Sequence, residues 1–172
     1  IGLGIMGLAD MLIKMNIRYG SEEAVTICDI IGKLLASSAL NASNNIATEQ
    51  KPYDECLPNA IVETEFFKEN GDPNLKKLIE TTGLRNSQLL TIAPTGTIST
   101  MFGVSGGIEP IFANSYTRMT KSLHGHDEAY KVYTPIVKAY MDANGLKDDS
   151  ELPEWFVTSA DISVEERIDM QS

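Results

Sequence analysis

The residues best equipped for chemistry in this sequence form one short run, Ala93-Pro94-Thr95-Gly96-Thr97-Ile98-Ser99. Pro94 stops an apolar stretch, and Gly96 lets backbone approach a ligand with no Cβ in the way. Thr95, Thr97 and Ser99 add hydroxyl donors beside a run of free backbone N–H groups. Such an array suits phosphate oxygens, above all where a strand end leads into a helix or turn. It lacks the Gly-Lys-Ser/Thr ending of a P-loop, so triphosphate hydrolysis is not implied. On the residues alone, a plain strand-ending turn remains open beside the phosphate cradle.

Other groups carry weaker signals. Gly106-Gly107-Ile108-Glu109-Pro110 sets a carboxylate between a flexible pair and a proline that fixes the exit direction; a lone loop Glu is more often solvated than catalytic. Arg85-Asn86, ahead of the apolar stretch, is equally weak alone. Gly2-Leu3-Gly4-Ile5-Met6-Gly7 matches G-x-G-x-x-G, yet no strand precedes it and no acidic residue closes a second strand about 20 residues on. The expectation is a helix whose small residues permit close packing. Cys28 and Cys56 have neither CxxC spacing nor a neighbouring His, and read as ordinary reduced thiols. His124 and His126 form one H-x-H without a partner cysteine, and no metal site is expected.

Periodicity gives the elements that would position these groups. Leu3, Met6, Ala9, Met11, Leu12 and Met15 predict a buried amphipathic helix over residues 3–16. After a turn at Gly20, Ser21-Glu22-Glu23 starts a second helix running to about Ser38, and the two would form an αα-hairpin. Residues 40–74 are expected to be a surface excursion or insert: Asn41-Ala42-Ser43-Asn44-Asn45 is polar, and Pro52 and Pro58 bracket an aperiodic stretch. Short helices are expected at Ile61–Lys68 and Asn74–Thr82, the latter closed by Gly83. Gln88–Ala93 suits a buried strand, whereas Thr97–Phe102 could be extended or helical. A helix carrying Ala129, Val132, Tyr133, Ile136, Val137 and Tyr140 would be kinked or broken at Pro135. Trp155-Phe156-Val157 reads as extended, and Asp161-Ile162-Ser163 with Glu165-Glu166 starts a last helix.

Composition bounds the function. With 172 residues, 42% hydrophobic and 22% charged, the chain fits one domain or a slice of a larger one. It opens on Ile1 without an initiator methionine and stops inside an apparent helix, so both ends read as cuts. A net charge of −10 is the wrong electrostatic footprint for nucleic acid or an anionic membrane surface. It leaves room for a small phosphorylated ligand bound through backbone N–H groups. No stretch approaches the roughly 20 apolar residues of a membrane span, and a cytoplasmic location is expected.

Taken in order, these segments resemble the large, catalytic subunit of ribonucleotide reductase. The resemblance runs through Gly2–Leu12, then Arg85-Asn86 leading to Ile92–Ser99, then Ser105–Phe112 and Tyr116-Thr117-Arg118. It closes on Phe156–Ser163 and Met170-Gln171, with residues 40–74 finding no counterpart. The form Pro-Thr-Gly-Thr-Ile-Ser most resembles the adenosylcobalamin-dependent class. The resemblance implies an α/β fold, part of a ten-stranded α/β barrel, in which this segment is mostly helical with a few short strands. It implies a full-length enzyme that reduces ribonucleotides through a thiyl radical and draws electrons from a thioredoxin-type reductant. Adenosylcobalamin would serve that full-length enzyme, none of it bound by this segment alone. Substrate-phosphate binding falls on Pro94, Thr95, Gly96, Thr97, Ile98 and Ser99, with Glu109 and Asn86 lining the same cavity. The finger-loop motif Asn-x-Cys-x-Glu is absent here, so no catalytic residue is assigned and the segment alone should be inactive. The rival reading is a stand-alone α/β phosphate- or anion-binding module.

Overall fold

In the computed structural model, which describes residues 1–120 and 128–172, the chain divides into two compact units. The first joins Ile1–Gly4 to Thr26–Ile92, and the second joins Ile5–Val25 to Ala93–Ser172.

The first unit is helical. Its long element α2 (Glu22–Gln50, whose residues through Val25 cluster with the second unit) runs well past the expected end at Ser38. The polar stretch after Leu40 is therefore not a surface excursion. Ala39, Leu40, Ser43, Asn44 and Ala47 recur at helical spacing and are all buried. Ser43 and Asn44 can be buried because each finds polar partners within the unit. Helices α3 (Pro58–Val62), α4 (Glu65–Asn70) and α5 (Pro73–Thr82) follow, so the helix expected at Ile61–Lys68 is split in two. The split is chemical: the Thr64 hydroxyl accepts the Phe67 N–H at 3.2 Å, capping a new start. Asp72 caps α5 through the N–H groups of Asn74 and Leu75, and Gly83 ends it at φ 72°. The core gathers Ala39, Leu40, Val62, Phe67, Leu75, Ile79, Leu84 and Leu89, so residues 40–74 supply three of its eight members.

The expected buried strand at Gln88–Ala93 reduces to a single parallel bridge, Leu3 with Leu90, and Ile92 is exposed. Its hydrogen bonds run from Leu3 N–H to Leu89 O and from Thr91 N–H to Leu3 O, both 2.8 Å. The glycine-rich start is thus extended rather than helical. A Cβ at Gly4 would stand 2.5 Å from the Thr91 carbonyl oxygen, so glycine is needed for chains to lie this close.

In the second unit, Gly7 (φ 79°) turns the chain into α1 (Leu8–Lys14), which is shorter than the expected 3–16 because that backbone angle cannot continue a helix. Leu8, Ala9, Leu12 and Ile13 of α1 are buried, as are Ile17, Tyr19 and Ala24. Helix α6 spans Gly96–Phe102, which settles the ambiguous stretch as helical. Strands β1 (Ser115–Thr120) and β2 (Glu128–Tyr133) pair antiparallel, from Ser115 opposite Tyr133 to Thr120 opposite Glu128. Here the single kinked helix is corrected. Residues 128–133 form a strand, with Tyr130, Val132 and Tyr133 favouring it, and α7 (Pro135–Asn144) begins only at the proline. Pro135 takes the first helical position, where its missing N–H costs nothing, and it holds Thr134 extended. A 3-10 turn (Asp149–Glu151) and α8 (Val164–Asp169) complete the unit, α8 opening on a reciprocal cap between Ser163 and Glu166. Trp155 lies in a turn and Val157 outside any strand. The fold is a partial α/β segment, and β1 and β2 are its only strands among the described residues.

Candidate functional site

Thr95 sits immediately before α6 with φ 52° and ψ 22°, a left-handed conformation that a β-branched residue rarely adopts. A threonine in this place normally turns its hydroxyl onto the first helical N–H groups. Here it makes no such cap. Its Oγ1 instead accepts the N–H of Gly107 at 2.7 Å. The first bond of α6 runs from Ser99 N–H to Thr95 O at 2.8 Å, so the N–H groups of Gly96, Thr97 and Ile98 precede the helical ladder. Gly96, Thr97 and Ile98 are exposed, and a Cβ at Gly96 would meet nothing within 4 Å.

The Gly106-Gly107 pair packs directly on this loop. A Cβ at Gly106 would come 2.9 Å from Pro94 O, and one at Gly107 would come 2.8 Å from Ala93 O. Glu109 N–H closes a turn onto Gly106 O at 2.9 Å. The same Gly106 position lies 3.6 Å from Glu109 Oε2 and 3.8 Å from Ser99 Oγ. Thus Pro94, Thr95, Ser99 and Glu109 converge on one glycine pair. Ser99 is buried, and its hydroxyl reaches back to Gly96 O at 3.3 Å. It therefore supports the loop from behind, whereas Thr97 presents its side chain outward.

Asn86 belongs to the first unit, where the buried Ser43 holds it. Ser43 Oγ accepts Asn86 N–H at 3.0 Å and donates to Asn86 Oδ1 at 3.3 Å, while Arg85 N–H reaches Ser43 O at 3.1 Å.

Sequence reasoning missed Asp10 and Tyr19. Asp10 is buried in the first turn of α1, and its Oδ2 accepts the Ser105 N–H at 2.6 Å. Tyr19 is buried too, and its hydroxyl donates to Ile108 O at 2.7 Å. A lone acid inside Leu8-Ala9-Asp10-Met11-Leu12 was the available signal, since buried carboxyls need dedicated partners. Among the described residues no cluster of three His, Cys, Asp or Glu side chains could hold a metal, and His124 and His126 lie outside those residues. Cys28 and Cys56 are free thiols, and burial pushes the Cys28 thiol up. No helix among the described residues is long and apolar enough to cross a membrane.

Chemically, the N–H groups of Gly96, Thr97 and Ile98 stand uncapped at a turn-to-helix junction; backbone amides so placed are able to donate to an anion. The chain belongs to the ribonucleotide reductase family: residues 1–172 all match the model described as ribonucleotide reductase, barrel domain. The match includes residues 40–74, for which the motifs gave no counterpart. Over 124 residues (72% of this chain) it is 36% identical to the vitamin B12-dependent ribonucleoside-diphosphate reductase of Mycobacterium tuberculosis strain H37Rv. Over 118 residues (69%) it is 41% identical to the enzyme of that name from Thermoplasma acidophilum. Over 145 residues (71%) it is 33% identical to the ribonucleoside-diphosphate reductase subunit alpha of Chlamydia pneumoniae. The matched part is a small share of these relatives: 15%, 13% and 14% of their respective lengths.

Proposed function

We propose that this chain is a segment of a ribonucleotide reductase catalytic subunit and that Pro94–Ser99 is its substrate-phosphate loop. One observation carries the loop assignment: the Thr95 hydroxyl accepts the Gly107 N–H and leaves the N–H groups of Gly96, Thr97 and Ile98 uncapped. Uncapped amides at a helix start stabilise negative charge without a lysine or arginine, which suits a chain of net charge −10. In this reading Gly96 admits the phosphate to the backbone, Thr97 adds its exposed hydroxyl, and Ser99 braces the turn. Pro94 fixes the approach, and Glu109 lines the cavity.

The full-length protein would build the ten-stranded barrel, carry the radical cysteine outside this segment, and convert ribonucleotides to deoxyribonucleotides for DNA replication in the cytoplasm. The names of two relatives favour adenosylcobalamin as the radical source, while the chlamydial name carries no such term. The cofactor would supply the radical when bound, and no residue of this segment is assigned to it. A thioredoxin-type protein would supply the electrons. The family match favours this reading over an unrelated anion-binding module.

The test is Thr97→Val in the full-length protein. The exposed side chain makes a folding defect unexpected, and loss of a hydrogen bond to a charged group should weaken nucleotide binding by about 1–3 kcal/mol. Unchanged nucleotide affinity would remove Thr97 from the site.

A further inference from the structure

We infer that Asp10 is a positioning residue for the Pro94–Ser99 loop, acting through the backbone of Ser105; the inference rests on the phosphate-loop reading. The start of α1 takes hold of both backbone polar groups of Ser105. The Gly7 N–H donates to Ser105 O at 2.9 Å, and Asp10 Oδ2 accepts the Ser105 N–H at 2.6 Å. The Gly7 Cα faces Val104, where an added Cβ would lie 3.3 Å from the valine Cβ.

Little slack remains beyond this clamp. Gly106 and Gly107 follow at once, each so near the carbonyls of Pro94 and Ala93 that no side chain fits between. Tyr19 then holds Ile108 O from the far side. The Gly107 N–H is thus delivered to Thr95 Oγ1 by a short backbone span fixed at both ends.

The chemical consequence concerns what Thr95 does otherwise. Released from Gly107, its hydroxyl would be free to cap α6 in the usual way, and its backbone could relax from φ 52° to the extended region. The loop would then satisfy its own amides and offer fewer to a phosphate. Asp10 therefore favours the open form of the anion site without touching the anion. A buried carboxyl committed to one backbone N–H is a costly device for simply pinning a loop. Here it holds a strained residue in the geometry that binding uses.

The experiment compares Asp10→Ala, Asp10→Asn and Gly96→Ala in the full-length protein, reading KM and kcat for a ribonucleoside diphosphate and the melting temperature. Asp10→Ala should raise KM roughly tenfold, as for a lost charge-assisted hydrogen bond, with kcat changed less than about threefold. Asp10→Asn keeps an acceptor oxygen in place and should raise KM only about threefold. A merely structural role lowers the active fraction instead, reducing kcat at constant KM, and that result would overturn the inference. So would a folded Asp10→Ala protein with unchanged KM. If Asp10→Ala does not fold, Asp10→Asn decides, an unchanged KM overturning the inference. Gly96→Ala tests the loop itself: raised KM there with none in the Asp10 variants leaves the loop reading standing and removes Asp10. Unchanged KM in Gly96→Ala removes the loop reading.

Discussion

The hydroxyl oxygen of Thr95 accepts the N–H of Gly107 across 2.7 Å, and this bond joins the segment before α6 to the turn that carries Glu109. Gly107 is buried, so its N–H has no ready replacement in water. Thr95→Val keeps the shape and the strained φ of 52° but deletes the acceptor. It should destabilise the full-length protein by about 1–3 kcal/mol, the cost of an unsatisfied buried donor. Thr95→Gly deletes the same acceptor but relieves backbone strain of roughly 1–3 kcal/mol, so its net cost should be the smaller. Thermal melting ranks the two variants, and faster hydrogen exchange at the Gly107 amide should accompany both. A Thr95→Val protein with unchanged exchange at Gly107 would show that the bond is not formed in solution.

A second prediction concerns Asn44, at 2% exposure one of the most buried polar side chains in the described residues. Its Nδ2 donates to Gly83 O at 2.8 Å and to Thr82 Oγ1 at 2.6 Å, tying mid-α2 to the end of α5. Asn44→Ala leaves the Gly83 carbonyl without that donor and should cost about 1–3 kcal/mol. Asn44→Asp should be worse, because it sets a carboxylate against two acceptors where an amide donated. Melting temperatures should fall in the order wild type, Asn44→Ala, Asn44→Asp. If Asn44→Asp melts as wild type does, the side chain is not buried as described.

These two sites show what was legible in the sequence and what was not. The loop at Pro94–Ser99 was visible because proline, glycine and hydroxyl residues have local meanings that survive without tertiary context. Gly83 and the Ser163 cap were visible for the same reason. The stretch after Leu40 was not, since Ser43 and Asn44 look like surface residues until their partners at residues 82–86 are known. Pro135 marked a break correctly, but what preceded it was a strand: an apolar run that short carries no decisive period. The extended run at Gly2–Gly4 was hidden by methionines and leucines at helical spacing beyond it. Its reason is the neighbouring Thr91 backbone, far away in sequence. Asp10 went unassigned because its partner, the Ser105 N–H, has no side-chain signature.

The last prediction is a pH dependence set by Glu166. The Arg18 guanidinium, and then the Ser163 N–H, hold its carboxyl below the usual glutamate range. Arg18 also donates to Asp161 O at 3.3 Å, so one side chain joins the turn before Gly20 to the start of α8. Asp161 is lowered as well, chiefly by the Thr158 hydroxyl and N–H. A carboxyl whose folded-state pKa is depressed stabilises the fold above its unfolded pKa, and that contribution disappears as pH falls through the folded value. Glu166 and Asp161 thus both add stability fully at neutral pH; Glu166 loses it from about pH 4.5 downward and Asp161 from about pH 3.8 downward, the ordinary values of the two side chains. Arg18 and Glu166 are partly open to solvent, so added salt should shrink the effect. Melting temperature measured from about pH 7 to pH 3 should fall less steeply in Glu166→Gln than in wild type. The two curves should draw together toward the acid end, as protonation of the wild-type carboxyl weakens the ion pair. Parallel curves over the whole range would mean that Glu166 is not paired with Arg18 in solution.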